Sequence, residues 1–245
     1  MPERIVAGNW KMNGDSAFLA EFVDAFTAID HPASVNVLLF PPNLLLGDCV
    51  RAVVDSGIGV GSQTVHPEAS GAFTGECAAE QVADQGARWT LVGHSERRQY
   101  AGEDDAAVLA RVLAAERAGL APVLCVGETL DERRAGRAEA VVLSQLDAVL
   151  DGAASALQGG AVAYEPVWAI GTGETATPAQ AQAMHAVLRE RLAERGLAET
   201  PLLYGGSVKA DNAAALFAEQ DIDGGLVGGA SLDAGAFAAI VAAAG

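Results

Sequence analysis

A chain of 245 residues can form one large domain or two small ones, and with 51% hydrophobic residues it can bury a sizeable core. Its formal net charge of −17, from 32 acidic and 15 basic residues, argues against nucleic acid or an anionic membrane as partner, because both need basic patches. No apolar stretch runs uninterrupted for the length of a membrane span, and Met1-Pro2-Glu3-Arg4 leads into a strand-like segment without a signal-peptide core, so the expected location is cytoplasmic.

Strand-like and helix-like segments alternate throughout. Ile5-Val6-Ala7 precedes a helix starting near Asp15 or Ser16, with Phe18, Leu19, Phe22, Val23 and Phe26 on one face. Val35 to Phe40 is a buried-strand run, after which Asn43 is expected to cap a helix holding Leu44, Leu45 and Val53. Ile58-Gly59-Val60 is a short strand. A polar, glycine-bearing loop over 63–77 then interrupts the rhythm before a helix around 79–84. Trp89-Thr90-Leu91-Val92 is the next strand, and a helix over about 104–118 stops at Gly119, a good left-handed terminator. Residues 122–126 and a helix over 138–150 repeat the unit, followed by the strand Ala161-Val162-Ala163-Tyr164. Thr177-Pro178-Ala179-Gln180 combines a cap, a first-turn proline and a capping-box partner for a helix ending at Gly196. Residues 201–204, a helix near 212–218, residues 224–227 and an Ala-rich helix from Asp233 complete the series.

That is roughly eight strand–helix units with no polar linker between them. The expected fold is α/β, a single-domain (β/α)8 TIM barrel of parallel strands spanning 1–245. A doubly wound open sheet is the alternative. Gly171-Thr172-Gly173-Glu174-Thr175-Ala176 matches the loose dinucleotide pattern, but several residues separate it from its strand and the helix cap comes only at Thr177, which argues against that reading. Cys49, Cys77 and Cys125 are odd in number and far apart, so neither a disulfide framework nor a zinc site is expected. Cys125, at a strand's end, reads as a core thiol, with a reactive role as the alternative.

In such a barrel the functional face is where strands end. There stand Asn9-Trp10-Lys11, His94-Ser95-Glu96, Glu165, Gly205-Gly206-Ser207 and Gly228-Gly229. Singly, each has an ordinary structural explanation; together at one rim they form a candidate site. Proline after Glu165 biases that residue to extended geometry at its strand's end. The following loop has apolar residues and an aromatic at one end and two glycines at its tip, which suits a hinged lid. The glycine turns after the last two strands can bind phosphate through backbone amides of Ser207, Gly228 and Gly229. In so acidic a chain, those amides and Lys11 must supply the attracting field. Lys209, the other lysine, reads as a solvated residue.

Five stretches carry a family resemblance: Ala7-Gly8-Asn9-Trp10-Lys11-Met12-Asn13, Val92-Gly93-His94-Ser95-Glu96-Arg97-Arg98, Tyr164-Glu165-Pro166-Val167-Trp168-Ala169-Ile170-Gly171-Thr172-Gly173, Tyr204-Gly205-Gly206-Ser207-Val208 and Leu226-Val227-Gly228-Gly229-Ala230-Ser231-Leu232. Gly71-Ala72-Phe73-Thr74-Gly75-Glu76 and Cys125-Val126-Gly127-Glu128-Thr129 add to them. The chain resembles the triosephosphate isomerase family over its full length.

The resemblance implies interconversion of dihydroxyacetone phosphate and glyceraldehyde 3-phosphate with no metal or organic cofactor. It implies Glu165 as base, His94 as neutral electrophile, and Lys11 and Asn9 as stabilisers of developing oxyanion charge. Glu96 supports Lys11, with structural and catalytic roles both open. Phosphate would meet Asn9, Lys11, Gly171, Ser207, Gly228 and Gly229. The lid would comprise Pro166, Val167, Trp168, Ala169, Ile170, Gly171, Thr172, Gly173, Glu174, Thr175 and Ala176. Tyr204 and Ser207 resemble its latch, and Ile170 and Leu226 would crowd the base. The 63–77 loop, through Phe73 and Thr74, would reach a second copy in a homodimer, with a locally packed Phe73 as the alternative. Glu174 departs from the family, which often has lysine there; changed lid kinetics are expected. A different sugar-phosphate isomerase would need other groups at the base and carbonyl positions, and a non-catalytic relative should have lost Glu165, His94 or Lys11.

Overall fold

The strands close on themselves. In the computed structural model, which describes residues 2–170 and 176–245, the order is β1 (Arg4–Asn9), β2 (Val35–Phe40), β3 (Gly59–Ser62), β4 (Trp89–Val92), β5 (Ala121–Val126), β6 (Ala161–Tyr164), β7 (Leu202–Tyr204) and β8 (Gly224–Val227). Each pairs in parallel with the next, and β8 returns to β1 with Ala7 opposite Leu226. A closed ring has no unpaired edge.

Side-chain alternation divides the core into two layers. Ile5, Ala7, Leu38, Phe40, Leu91, Val123, Cys125, Ala163 and Leu203 fill the barrel interior. Val6, Val37, Leu39, Leu124 and Val162 point outward to a second layer beneath the helices. Onto that layer α1 (Ser16–Thr27) lays Leu19, Phe22, Val23 and Phe26, the face its spacing predicts, with Asp15 capping it through Phe18 N at 2.9 Å.

One expected cap is absent. Asn43 opens a short 3₁₀ turn (Asn43–Leu45) that has no side-chain cap, and α2 (Leu46–Ala52) begins only after it. Leu44, expected within that helix, lies instead in the 3₁₀ turn and is almost fully exposed. Two prolines upstream hold the chain extended, so the tight turn forms before a regular helix can.

The remaining helices are α3 (Ala79–Asp84), α4 (Ser95–Ala101), α5 (Asp105–Arg117), α6 (Leu130–Arg134), α7 (Ala138–Ala153), α8 (Pro178–Glu194), α9 (Ala213–Phe217) and α10 (Ala234–Ala242). The capping box of α8 forms as its sequence predicts, Thr177 accepting from Gln180 N and Gln180 from Thr177 N. Among the described residues one helical stretch, Ala138–Gln158, has the length and apolar composition of a membrane span. It carries Gln145, Asp147 and Asp151, and it buries Val142, Leu146, Val149 and Leu157, as a core helix does.

Candidate active site

The site is assembled at the strands' C-terminal ends, around a cavity of about 620 Å3. Its lining includes Asn9 and Lys11 after β1, His94 and Glu96 after β4, Glu165 after β6, Gly205 to Ala210 after β7, and Leu226, Gly228 and Gly229 at the end of β8. Eight parallel strands bring together groups as much as 220 residues apart in sequence, at one rim.

Glu165 is held on three sides. Its backbone N–H donates to Val126 O at 2.8 Å, and a Cβ placed on Gly127 would fall 1.8 Å from Glu165 O, so only glycine allows that approach. On the other flank, a Cβ on Gly205 would lie 2.8 Å from Glu165 Cγ. The buried carboxylate accepts the Ser95 N–H at 2.8 Å through Oε2, and its Oε1 lies 2.9 Å from His94 Nε2.

His94 is the N-cap of α4, and its Nδ1 accepts the Glu96 N–H at 3.2 Å. The proton of a neutral ring therefore sits on Nε2 and faces Glu165. Burial pushes the imidazole pKa down; Glu165 beside it pulls harder the other way, so the net direction in this contact is upward. Burial likewise pushes Glu165 up, but His94, the Ser95 amide and Lys11 outweigh it and hold the carboxyl below the usual range.

Lys11 is the only non-glycine residue with positive φ (53°) among the described residues. A left-handed lysine costs on the order of 1 kcal/mol or more and persists only where its neighbours enforce it. Its N–H donates to Asn9 Oδ1 at 3.0 Å, while Gln63 Nε2 donates to both Lys11 O (2.7 Å) and Phe40 O (2.9 Å). The ammonium meets Glu96 Oε1 at 2.6 Å, and its Cε would lie 3.6 Å from a Cβ on Gly228. The cation thus reaches from the first strand to the last glycine turn, where Ser231 donates to Gly228 O through both its N–H and its hydroxyl. Among the described residues, the Ser207 N–H has no acceptor.

The first part of the expected lid is docked. Val167 N donates to Glu128 O at 3.1 Å, and Trp168 Nε1 donates to Glu128 Oε1 at 2.9 Å. The same buried oxygen accepts the Tyr164 hydroxyl and Arg133 Nη1, each at 3.1 Å, and the Arg133 guanidinium lies 4.8 Å from the Trp168 ring. Ile170 lines the cavity and Ala176 is buried. Gly171, Thr172, Gly173, Glu174 and Thr175 lie outside the described residues, so the Gly171 phosphate contact and the Glu174 departure stay expectations. The Tyr204 hydroxyl makes no well-formed hydrogen bond among the described residues; burial pushes its pKa up to about 12, and the Ala176 backbone beside it opposes the rise.

Elsewhere the expected residues separate. Phe73 packs on His66 at 4.0 Å between ring centroids, yet it is 43% exposed, and Thr74 is exposed beside it. Neither lies in the cavity. Cys125 is fully buried inside the barrel, where burial, with the nearby Glu165 charge, pushes its thiol pKa far up, as a core thiol requires. Lys209, read as a solvated residue, is exposed but lines the cavity. Gln63, Glu128 and Arg133 carry supporting contacts to which the sequence alone assigned no role. Gln63 sits at the start of a polar loop, while Glu128 stands at a strand's end in the stretch 125–129 that adds to the resemblance.

The model of the family described as triosephosphate isomerase matches residues 4–244. A triosephosphate isomerase of Halorhodospira halophila is 51% identical over 249 residues, covering 100% of this chain and 99% of that protein. One of Xanthomonas euvesicatoria is 52% identical (100% and 99% covered), and one of Alcanivorax borkumensis 50% identical (98% of each). With its full length matched and an eight-stranded parallel barrel as its fold, the chain belongs to the triosephosphate isomerase family.

Proposed function

We propose that this chain interconverts dihydroxyacetone phosphate and D-glyceraldehyde 3-phosphate through an enediolate, with Glu165 as base and His94 as electrophile. The observation that carries the reading is the buried Glu165 carboxyl in contact with His94 Nε2, in the cavity that Lys11 also lines.

Both Glu165 oxygens are engaged, on Ser95 N and His94 Nε2. To take a proton from carbon the carboxylate turns from His94 towards the cavity, and the Nε2–H is then free to polarise a substrate oxygen. That turn removes the larger of the two charges that raise the imidazole pKa. The Glu96 carboxylate, 3.8 Å from Nδ1, still favours protonation, while burial, Lys11 and the Glu96 N–H favour the neutral ring. A base paired with a neutral imidazole is an arrangement for which triosephosphate isomerase is the standard illustration.

Asn9 and Lys11 add to oxyanion stabilisation, and Lys11 also meets the phosphate with Ser207, Gly228, Gly229 and Gly171. Glu96, in contact with Lys11, positions it. Pro166 to Ala176 form the lid, Tyr204 and Ser207 its latch, and Leu226 with Ile170 the apolar wall beside the base. Closure keeps water from the enediolate and strengthens the interactions inside. The chemistry uses proton transfer alone, without metal or organic cofactor.

The whole of 1–245 acts as one catalytic barrel, cytoplasmic, away from nucleic acid and membranes, and as a homodimer. A two-fold pair is supported by exposed Met12, Phe73 and Tyr100 and by a second cavity of about 290 Å3 beside Lys11 and His94, lined by Met12, Gln63 and Tyr100. A coupled assay started with either triose phosphate tests the activity. Turnover by the native chain that survives a chelator is expected; its absence overturns the reading. Light scattering tests the dimer, and a monomer at micromolar concentration would refute it.

A further inference from the structure

The chain has two lysines, and both line the cavity that holds Glu165 and His94. Every other basic residue is an arginine, and many are tied up: Arg97 and Arg111 on Glu103, Arg98 on Asp105, Arg117 on Glu80, Arg191 on Asp147. Lys209 differs at both ends. Its backbone is fixed, with N–H donating to Asn212 Oδ1 at 2.8 Å and its carbonyl accepting from Asn212 N (3.2 Å) and Ala213 N (3.0 Å). Its side chain is exposed, with no carboxylate in ion-pair range among the described residues.

Charge at the cavity's lining shows what such a residue can do. Among the described residues the carboxylates that line it are Glu96 and Glu165, and the lysines are Lys11 and Lys209. Glu96 is neutralised by Lys11 at 2.6 Å. Glu165 is met by His94, which is neutral during the reaction, by the Ser95 N–H and by the field of Lys11, whose charge is already matched by Glu96. Without Lys209 the described side chains of the lining are net negative, on a molecule of formal charge −17, so a phosphate dianion meets no attracting charge until it is close enough for Lys11 and the backbone amides. With Lys209 the sum over the described side chains is zero, and at the mouth stands an ammonium with no carboxylate partner among the described residues.

Resting on the isomerase reading, we propose that Lys209 is a steering residue, which draws the anionic substrate into the mouth before Lys11 and the backbone amides receive it. The family is a standard example of catalysis at the diffusional ceiling, where the rate of encounter sets kcat/KM. A charge that changes encounter therefore changes kcat/KM directly. Its reach is set by screening, about 30 Å at 0.01 M ionic strength and about 8 Å at 0.15 M.

The test is kcat/KM for K209Q, K209E and K209R against the native enzyme, from about 0.01 M to about 0.5 M ionic strength. At the lowest salt K209Q is expected to lose roughly three-fold and K209E roughly ten-fold, and K209R to stay near native. The native-to-variant ratios for K209Q and K209E should fall towards one as salt rises. A ratio that is the same at every salt concentration would mean that Lys209 merely shapes its turn, and no loss at low salt would mean that it does nothing; either overturns the proposal. A native enzyme inactive at all salt concentrations would instead refute the isomerase reading.

Discussion

The two ends of the barrel hold buried charge in opposite ways. At the floor, where strands begin, Arg189 of α8 is bound to Asp223 and donates to Ala198 O (2.8 Å) and Thr200 O (2.7 Å). Asp223 Oδ2 also accepts Leu202 N at 2.8 Å, and Arg4 donates to Phe217 O and Ile222 O. These charges have several fixed partners each, and nothing is left for a ligand. At the mouth the partners are exchangeable. Glu165 is bound to groups that the substrate would need, Lys11 stands on a strained backbone, and Lys209 pairs with no carboxylate among the described residues. Satisfied charge fastens the fold; charge held in reserve is available for chemistry.

The largest expected effect tests the mouth. Glu165→Gln keeps the shape and removes the base, so turnover should fall by roughly 10²- to 10⁴-fold, while inorganic phosphate still competes for the site. Near-native turnover would place Glu165 in the same fastening role as Asp223. The floor should respond the other way. Arg189→Met strands the Asp223 carboxylate in a buried site, and a loss of about 2–4 kcal/mol is expected in urea unfolding at fixed protein concentration, with kcat/KM kept. Lost activity in a folded Arg189→Met protein would show that the two ends are coupled, and would break the contrast.

Between the ends lies His185 on α8, edge-on to Tyr164 at 5.7 Å and donating from Nδ1 to Ala181 O at 2.9 Å. It is fully buried, which pushes its pKa down to about 4. An unfolded chain takes up that proton near pH 6.5 and the folded one only near 4. Stability is therefore complete above pH 6.5 and falls as pH drops through that window. The loss reaches about 3 kcal/mol near pH 4. In urea unfolding at pH 7, 5.5 and 4.5, His185→Gln should show a shallower decline than the native chain, and equal slopes would disprove the assignment.

Most of the barrel is legible in the sequence because its signals are local. Strand runs such as Val35–Phe40 and Trp89–Val92 and the caps at Asp15 and Thr177 rest on adjacent residues, and they reappear unchanged. Asn43 failed because the prolines before it set a turn that its own capping preference could not overcome. The strand-end polar residues could be ranked as candidates only once the barrel supplied a common rim. What no local pattern could give was the set of supports reached across the fold. Glu128 is 40 residues from the indole it holds, and Gln63 is 52 residues from the carbonyl it grips.

Gln63 gives the smallest and most exacting test of the contrast. A floor residue with two backbone contacts should matter for stability alone. Gln63 makes two such contacts, on Lys11 O and Phe40 O, but one of them fixes the strained lysine that faces the cavity. Replacing it with Met nearly keeps the volume and removes both donors without adding charge, so the left-handed turn loses its anchor and the Lys11 ammonium its fixed position over Gly228. Misplacement of one positioned cation without its removal should cost roughly ten-fold in kcat/KM, most of it in KM because the lysine's expected partner is the phosphate. Inhibition by inorganic phosphate should weaken in parallel, while urea unfolding shifts by about 1 kcal/mol or less. If Gln63→Met lost stability but bound phosphate as tightly as the native chain, Lys11 would hold its geometry unaided, and the strain at φ 53° would be an intrinsic property of its turn.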